Sequence, residues 1–582
     1  MKRKGFKQSW APLTQEISST LAQSGRLVGL RDLRPKRLVE VVPVLTGTRR
    51  GDDAGGSFVR SAPSGAFGVD GRVGVTRNLV LDVTYNPDFS QVEADANQIT
   101  VNERFALFFP EQRAFFLEGA EIFNTPTRLV YTRRIVDPVA GAKLTGKVGS
   151  FNVGYLGAVD ESPRTLGGRE GEAVFNLARV RRDVGAGSTV GLLLADRSLT
   201  DGSGAYNRIV AGDARVFFGD RYIVTTQLAG SLTQDGGAAG HGGLHGLLHA
   251  RVERRGRDVS WNLTLTDVGS GFRALSGLIP RVGDAELTGS VSLTHFGRPG
   301  ALVESATVRA NLNNFFTHQG LWAGTLPFEH EVELWNTVRF RGDRSVTVVL
   351  RRGYFRFEAD DYADYAVSGA GSAAGPFRLP GALDGLMGFG ILPDLRIDNT
   401  TNLNGRVLVR EVPIYAEGRR GFEFQVAPEL QIRPTHQLAL TLDHTYARIW
   451  RRDLQEPGAA AEGAPVAAEV FSTVNLSRVR AQYQLSRALF VRAVGQYELE
   501  ERETLLDPGT GLPLLVGGDG VTHRRGGRFQ GQLLVQYEPS PGTIFYVGFS
   551  RLMQGNGLSY RLGRMDPVQE GLFVKLSYLF RL

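Results

Sequence analysis

Cysteine is absent from all 582 residues. That excludes disulfides, thiolate metal centres and cysteine nucleophiles, and it agrees with an oxidising envelope compartment, where a stray thiol is a liability. Methionine is scarce, at 4 residues, whereas glycine numbers 73, a balance suited to tight turns and sheet surfaces rather than packed helices. No run of about 18 apolar residues occurs, so no helical membrane span is predicted. Helical amphipathic patterns longer than a few turns are missing as well. The basic start, Met1-Lys2-Arg3-Lys4, is followed by no apolar stretch of the kind a secretory signal needs. Charge is not concentrated either. The formal balance is +7 with a pI near 9.5, but lysine and arginine are scattered at alternate positions instead of forming a basic run. That scatter argues against a nucleic-acid partner.

What the chain does contain is a stripe of period two. In 571–582, Leu572, Val574, Leu576, Tyr578, Phe580 and Leu582 share one face, with Phe573, Lys575, Ser577, Leu579 and Arg581 opposite. A strand alternates in this way, so one face is apolar from end to end while the other carries charge. The pattern recurs in Phe545, Val547 and Phe549, in Phe529, Leu533, Val535 and Tyr537, and in Phe422, Phe424, Val426, Leu430 and Ile432. It returns in Leu287, Val291 and Leu293, and in Val259, Trp261, Leu263 and Leu265. Each stripe has roughly the 9–11 residues that a tilted strand needs to cross a bilayer. Several end on Tyr or Phe, as expected where a strand leaves hydrocarbon for the headgroups.

The connections alternate too. Residues 555–570, 501–523 and 452–468 are long, whereas 539–542, 486–487 and 433–435 are turns. A barrel with turns on one side and loops on the other requires that alternation; a sandwich does not. The prediction is an all-β fold: a large antiparallel transmembrane β-barrel of about 20–26 strands in the outer membrane. Its partners are the lipid bilayer and, through the C-terminal strand, the outer-membrane assembly machinery. At that size side chains cannot fill the lumen, so a channel or an inserted plug is expected.

One block breaks the stripe. It runs Asn86-Pro87-Asp88-Phe89-Ser90-Gln91-Val92-Glu93-Ala94-Asp95, then Val101-Asn102-Glu103-Arg104-Phe105. It continues as Phe108-Phe109-Pro110-Glu111-Gln112-Arg113-Ala114-Phe115-Phe116-Leu117-Glu118-Gly119, and 129–135 reads as a return to strand. Charges and irregular backbone cannot face lipid, so residues 86–126 are expected inside the barrel as a plug, with their acids against the inward arginines Arg133 and Arg134. A sharper reading makes Asp88, Glu93, Asp95 and Glu103, with Glu111, Arg113 and Glu118, a ligand or cation site. Calcium is the ion that such hard oxygens would suit, although no EF-hand spacing is present.

The stretches NPDFSQVEAD, FFPEQRAFFLEG and Tyr131-Thr132-Arg133-Arg134-Ile135 together resemble the DUF5916 family of bacterial proteins. The resemblance continues through Gly277-Leu278-Ile279-Pro280-Arg281 to the terminal strand, over about 90% of the chain. It implies an outer-membrane barrel preceded by a module similar to carbohydrate-binding family 9, and hence a possible glycan partner. Residues 1–35 resemble the remnant of that module and 36–582 the barrel, so the reading is of a chain truncated at its start, which would also remove the signal peptide.

The sequence points to no catalytic residue. Among 60 acidic residues a carboxylate pair is always available, yet no spacing places Glu111 and Glu118 face to face. A glycoside-hydrolysing surface protein is the alternative reading. His241, His245 and His249 share a face on a strand, and a row of that kind is expected without metal. The acidic run 358–364 and Thr522-His523 read as solvated loops. The glycines of 369–375 lack a phosphate-binding Lys-Ser/Thr.

Overall fold

The computed structural model describes residues 28–29, 38–87, 101–161, 171–185, 187–235, 243–369, 375–379, 381–452, 469–540, 542–555 and 565–582. Most of the predicted 1–35 remnant lies outside them. The striped segments form 24 antiparallel strands that close into a barrel, inside the predicted range and even in number. Each strand pairs with the next in sequence, and the seam joins Asp566–Ser577 to Val39–Asp53 over nine register pairs, from Val44 opposite Ser577 to Asp52 opposite Gln569. Among the described residues, closure leaves the barrel wall without a free edge, which is the condition for spanning lipid with strands.

The period-two stripe sorts as predicted. Leu572, Val574 and Leu576 are exposed on the outside, whereas Lys575 and Ser577 between them are buried toward the inside. Leu192 and Leu194, Leu263, Val291 and Leu293, Val332, Leu350, Leu442 and Leu533 continue the exposed belt around the cylinder. Aromatic pairs mark its two borders. Phe422–Trp450 (5.9 Å) and Phe424–Tyr446 (6.3 Å) lie toward the long-loop end. Tyr222–Trp261 (6.4 Å) and Tyr578–Phe580 (4.7 Å) lie toward the short-turn end. Rings with an apolar body and a polar edge suit that depth.

The connections are two-sided. Between Arg344–Phe355 and Leu383–Arg396, and again between Leu489–Arg502 and Arg524–Ser540, the chain makes long excursions; at the opposite end 341–343, 397–400 and 485–488 are tight turns. Two of the long loops are folded together. Strands Tyr365–Val367 and Gly375–Pro376 of one pair with Leu514–Val516 and Asp519–Gly520 of the other in a small sheet. Among the described residues the longest helix, His318–Ala323, has six residues.

The irregular block sits between Leu79–Tyr85 and Pro138–Val148, which pair directly with each other. Its described part, 101–137, is a long insertion into a hairpin. One expectation is corrected here: residues 129–135 do not return to strand. They form a 3-10 turn at Thr132–Arg134, and the wall resumes only at Pro138. The reason is local. The carbonyls of Thr132 and Ile135 are taken by the Arg113 guanidinium at 2.8 and 2.6 Å, so this backbone bonds within the insertion instead of to a neighbouring strand.

Candidate functional site: an occluded lumen

The insertion is anchored by grease on one side of the wall. Phe116, Ile122, Phe123, Leu129 and Ile135 are buried against inward side chains of consecutive strands, among them Leu156, Phe175, Leu177, Leu193 and Ile209. The loop 269–283 folds over the same cluster, adding Phe272, and fixes the insertion by backbone bonds from Tyr131 to Ser276 (2.8 Å) and from Leu278 to Arg128 (2.9 Å). Each large apolar group so buried contributes about 1.5–3 kcal/mol.

Polar contacts set the orientation. Glu111 receives Arg113 at 2.8 Å and the Thr132 hydroxyl at 2.7 Å. Burial alone would push the Glu111 carboxyl up, but Arg113 and Thr132 outweigh it and hold the group below the ordinary carboxylate range. The Arg113 guanidinium also lies 4.2 Å from the Phe116 ring centroid. Glu118 pairs with Arg72 of the wall. Glu111 and Glu118 thus each pair with an arginine.

The forward end of the insertion is held differently. The Asn102 amide donates to the Pro413 carbonyl (2.8 Å) and accepts from the Tyr415 backbone N–H (3.0 Å). Arg104 pairs with Asp361 of the long loop at 2.8 Å and lies over the Phe355 and Tyr415 rings. Burial pushes the Tyr415 hydroxyl up to about 12. The Tyr362 hydroxyl in turn donates to the Tyr415 carbonyl at 2.6 Å. The run 358–364, expected to be only solvated, therefore contains the latch residue Asp361 and the buried Tyr362.

A second clamp holds the loop sheet over the mouth. Glu417, in the turn between Thr401–Ile414 and Arg419–Ile432, accepts from Arg451 at 2.6 Å and from the Leu506 backbone N–H at 2.9 Å, while Arg451 also donates to the Thr504 carbonyl. Both side chains are essentially inaccessible to water. Arg451→Ala should leave the buried Glu417 carboxylate with only the more distant Arg419 guanidinium, at 3.6 Å, as a charged partner, at a cost of up to about 3–5 kcal/mol. We expect protease cleavage within 503–523 at concentrations that spare the wild type, with the barrel still heat-modifiable on gels; an unchanged cleavage pattern would contradict the clamp.

Among the described residues, two chambers border the insertion, and Glu103 and Leu107 line both. One, of about 700 Å³, lies against the wall carrying Glu333, Trp335, Arg351, Arg406, Arg410 and Glu423. The other, of about 660 Å³, is lined by Phe105, Thr127, His249, Arg281, Asp284 and Glu286. Burial raises the Glu103 carboxyl, opposed by Arg410 and reinforced by Glu423.

Of the predicted site, Asp88, Glu93 and Asp95 lie outside the described residues. The structure places Glu103 at the chambers, and Glu111, Arg113 and Glu118 in the anchor. Arg133 and Arg134 belong to the insertion itself rather than to the wall, with Arg134 donating to the Gly277 carbonyl at 3.0 Å. The residues missed were Asn102, Arg104, Asp361, Glu417, Arg451 and the wall arginines Arg406 and Arg410. The last two share a strand face, a parity readable once the strand is placed.

Residues 37–147 match the family DUF5916, described as a domain of unknown function. The matched span holds the first strands and the insertion, and is narrower than the resemblance read from the sequence. No curated protein matches. Among solved structures, the siderophore receptor PiuA from Acinetobacter baumannii is 9% identical, covering 92% of this chain and 82% of that one with a TM-score of 0.36. The siderophore receptor PirA from Pseudomonas aeruginosa is 8% identical, covering 94% and 81% at 0.30. OccAB4 of Acinetobacter baumannii is 8% identical, covering 93% and 98% at 0.26.

Proposed function

We propose that this outer-membrane-type barrel, whose residues 37–147 match DUF5916, binds or passes a polar solute through a lumen that its own insertion occludes. The observation that carries the reading is the two-faced inner wall. On the strands from Phe151 to Val268 the inner surface carries an apolar patch, Leu156, Phe175, Leu177, Leu193, Ile209 and Leu247, that the insertion's own side chains cover, with Arg179, Arg197 and Gln227 buried beside it. Across the lumen the inward positions are polar, among them Arg351, Arg406, Arg410, Glu423 and Gln425, and the larger chamber opens on them. An inert filler would not need half of the wall kept wet. A route along the polar half lets a hydrated molecule pass without meeting the greasy anchor.

By the usual orientation of such barrels the short turns face the periplasm and the paired loops face outward. A glycan, suggested by the module that the family resemblance implies, is one member of the polar class. The test is solute entry into proteoliposomes, followed by swelling in a trisaccharide, for the wild type and for a variant lacking the insertion. Entry should exceed the protein-free rate, with the shortened variant faster. If neither admits solute faster than bare lipid, the reading fails.

A further inference from the structure

The base of the long loop 503–523 brings together three side chains that the occluded lumen does not use. Glu501 and Arg525 face each other across the ladder, as do Arg502 and Arg524. One step further along, Glu503 meets His523. Residues two apart on a strand share a face, so Glu501, Glu503, His523 and Arg525 form one patch. Backbone bonds hold its corners. The Glu503 N–H donates to the Phe471 carbonyl at 2.9 Å, and the His523 N–H donates to the Thr504 hydroxyl at 3.0 Å. His523, read from the sequence as a solvated loop residue, sits between two carboxylates: its Nδ1 is 3.1 Å from Glu503 and its Nε2 is 3.9 Å from Glu501.

One ring nitrogen and one oxygen of each carboxylate lie within 4.8 Å of one another. On a tetrahedral ion with bonds of about 2.0–2.2 Å, neighbouring ligand atoms stand roughly 3.3–3.6 Å apart. The three groups are thus slightly wider than a filled site. All three side chains are partly exposed and end on rotatable bonds, so small rotations close the gap without moving the backbone.

The geometry points to a binding site for a divalent transition ion of the zinc type, with Glu501, Glu503 and His523 as its ligands. An imidazole nitrogen with carboxylate oxygens is a donor set that zinc accepts, whereas calcium collects about six to eight oxygens and gains little from a ring nitrogen. Two carboxylates also balance the two positive charges of the ion. The Arg525 guanidinium, 3.8 Å from Glu501, supplies part of that charge and competes with the ion. Three protein ligands leave the fourth position to water or to a donor from another molecule. The ligands come from both ends of the loop, whose strands Leu514–Val516 and Asp519–Gly520 belong to the small sheet over the mouth. A bound ion therefore ties the two ends of that cover together. None of the three ligands lines either chamber, so the site stands apart from what passes through the lumen.

The test is calorimetric titration of zinc, and separately of calcium, into the full chain in detergent after dialysis against a chelator. Zinc should bind, and Glu501→Gln, Glu503→Gln and His523→Ala should each weaken it by about tenfold or more, since even groups one shell beyond the ligands cost that much. Calcium should bind at least about tenfold more weakly than zinc. Zinc should also slow protease cleavage within 503–523 in the wild type but not in His523→Ala. Heat-modifiable migration checks that each variant has folded. Absence of zinc binding, zinc affinity that none of the three substitutions lowers, equal affinity for calcium, or zinc protection that persists in His523→Ala would each overturn the assignment. Solute entry into proteoliposomes does not depend on these ligands, so the lumen reading can survive that result.

Discussion

Joining Pro87 to Val136 through a short flexible linker, with residues 88–135 removed, is expected to raise single-channel conductance by about an order of magnitude. The two flanking strands already pair from Leu79 opposite Gly146 to Tyr85 opposite Ala140, so the excision converts a long insertion into an ordinary hairpin connection and leaves the barrel wall intact. A barrel of this size cannot be filled by its own inward side chains, so its open lumen should conduct freely. The excision also exposes Phe175, Leu177 and Leu193 to the lumen, which should lower thermal stability without preventing assembly. Planar-bilayer recording measures the effect. Conductance equal to that of the wild type, from a protein that still shows heat-modifiable migration, would show that the insertion does not block the path.

The second large effect is expected at Arg113. This one side chain binds Glu111 twice and the carbonyls of Thr132 and Ile135, the last of these fully buried and the others partly so. Arg113→Ala removes those bonds and leaves the Glu111 carboxylate with only the Thr132 hydroxyl and backbone N–H donors, so the seated insertion should lose up to about 3–5 kcal/mol. Arg113→Lys keeps the charge but not the fork, and should fall between. Hydrogen exchange within 111–135 should accelerate in both variants while the strands stay protected; unchanged exchange would remove Arg113 from the anchor.

The same pair fixes a pH dependence. Glu111 is lowered in the seated state relative to a released one, so its contribution is fully present above the ordinary glutamate pKa, about 4.3. It is lost as pH falls through the lower, seated value. Exchange in 111–135 should therefore be indifferent to pH in this respect between neutrality and mild acid, and should rise only in stronger acid. Acceleration already at pH 6 would contradict that sign.

The wall was legible in the sequence wherever its two faces differ chemically. The last strand shows this plainly, with Leu572, Val574 and Leu576 outside and Lys575 and Ser577 inside. It was not legible beside the insertion. In Ala173–Val184, Phe175 and Leu177 point inward beneath the insertion, while Val180 is exposed outside. Both faces are then apolar, and the period-two signal that marks orientation disappears. The residues 129–135 misled for a related reason: their extended, β-prone composition suits a strand, but Arg113 captures the carbonyls a strand would need. Latches such as Arg104–Asp361 join positions 257 residues apart, and no local pattern announces them.

The seam between the first and last strands sets an order of events. The insertion belongs to the chain's early part, between its third and fourth barrel strands, whereas the sheet can seal only when Asp566–Ser577 reaches Val39–Asp53. Once sealed, the wall offers no side entrance wide enough for a folded segment. An insertion that settles on its greasy bed while the sheet is still an open, curling ribbon would line the nascent half-barrel before it is shut, and would need no passage through the barrel's ends.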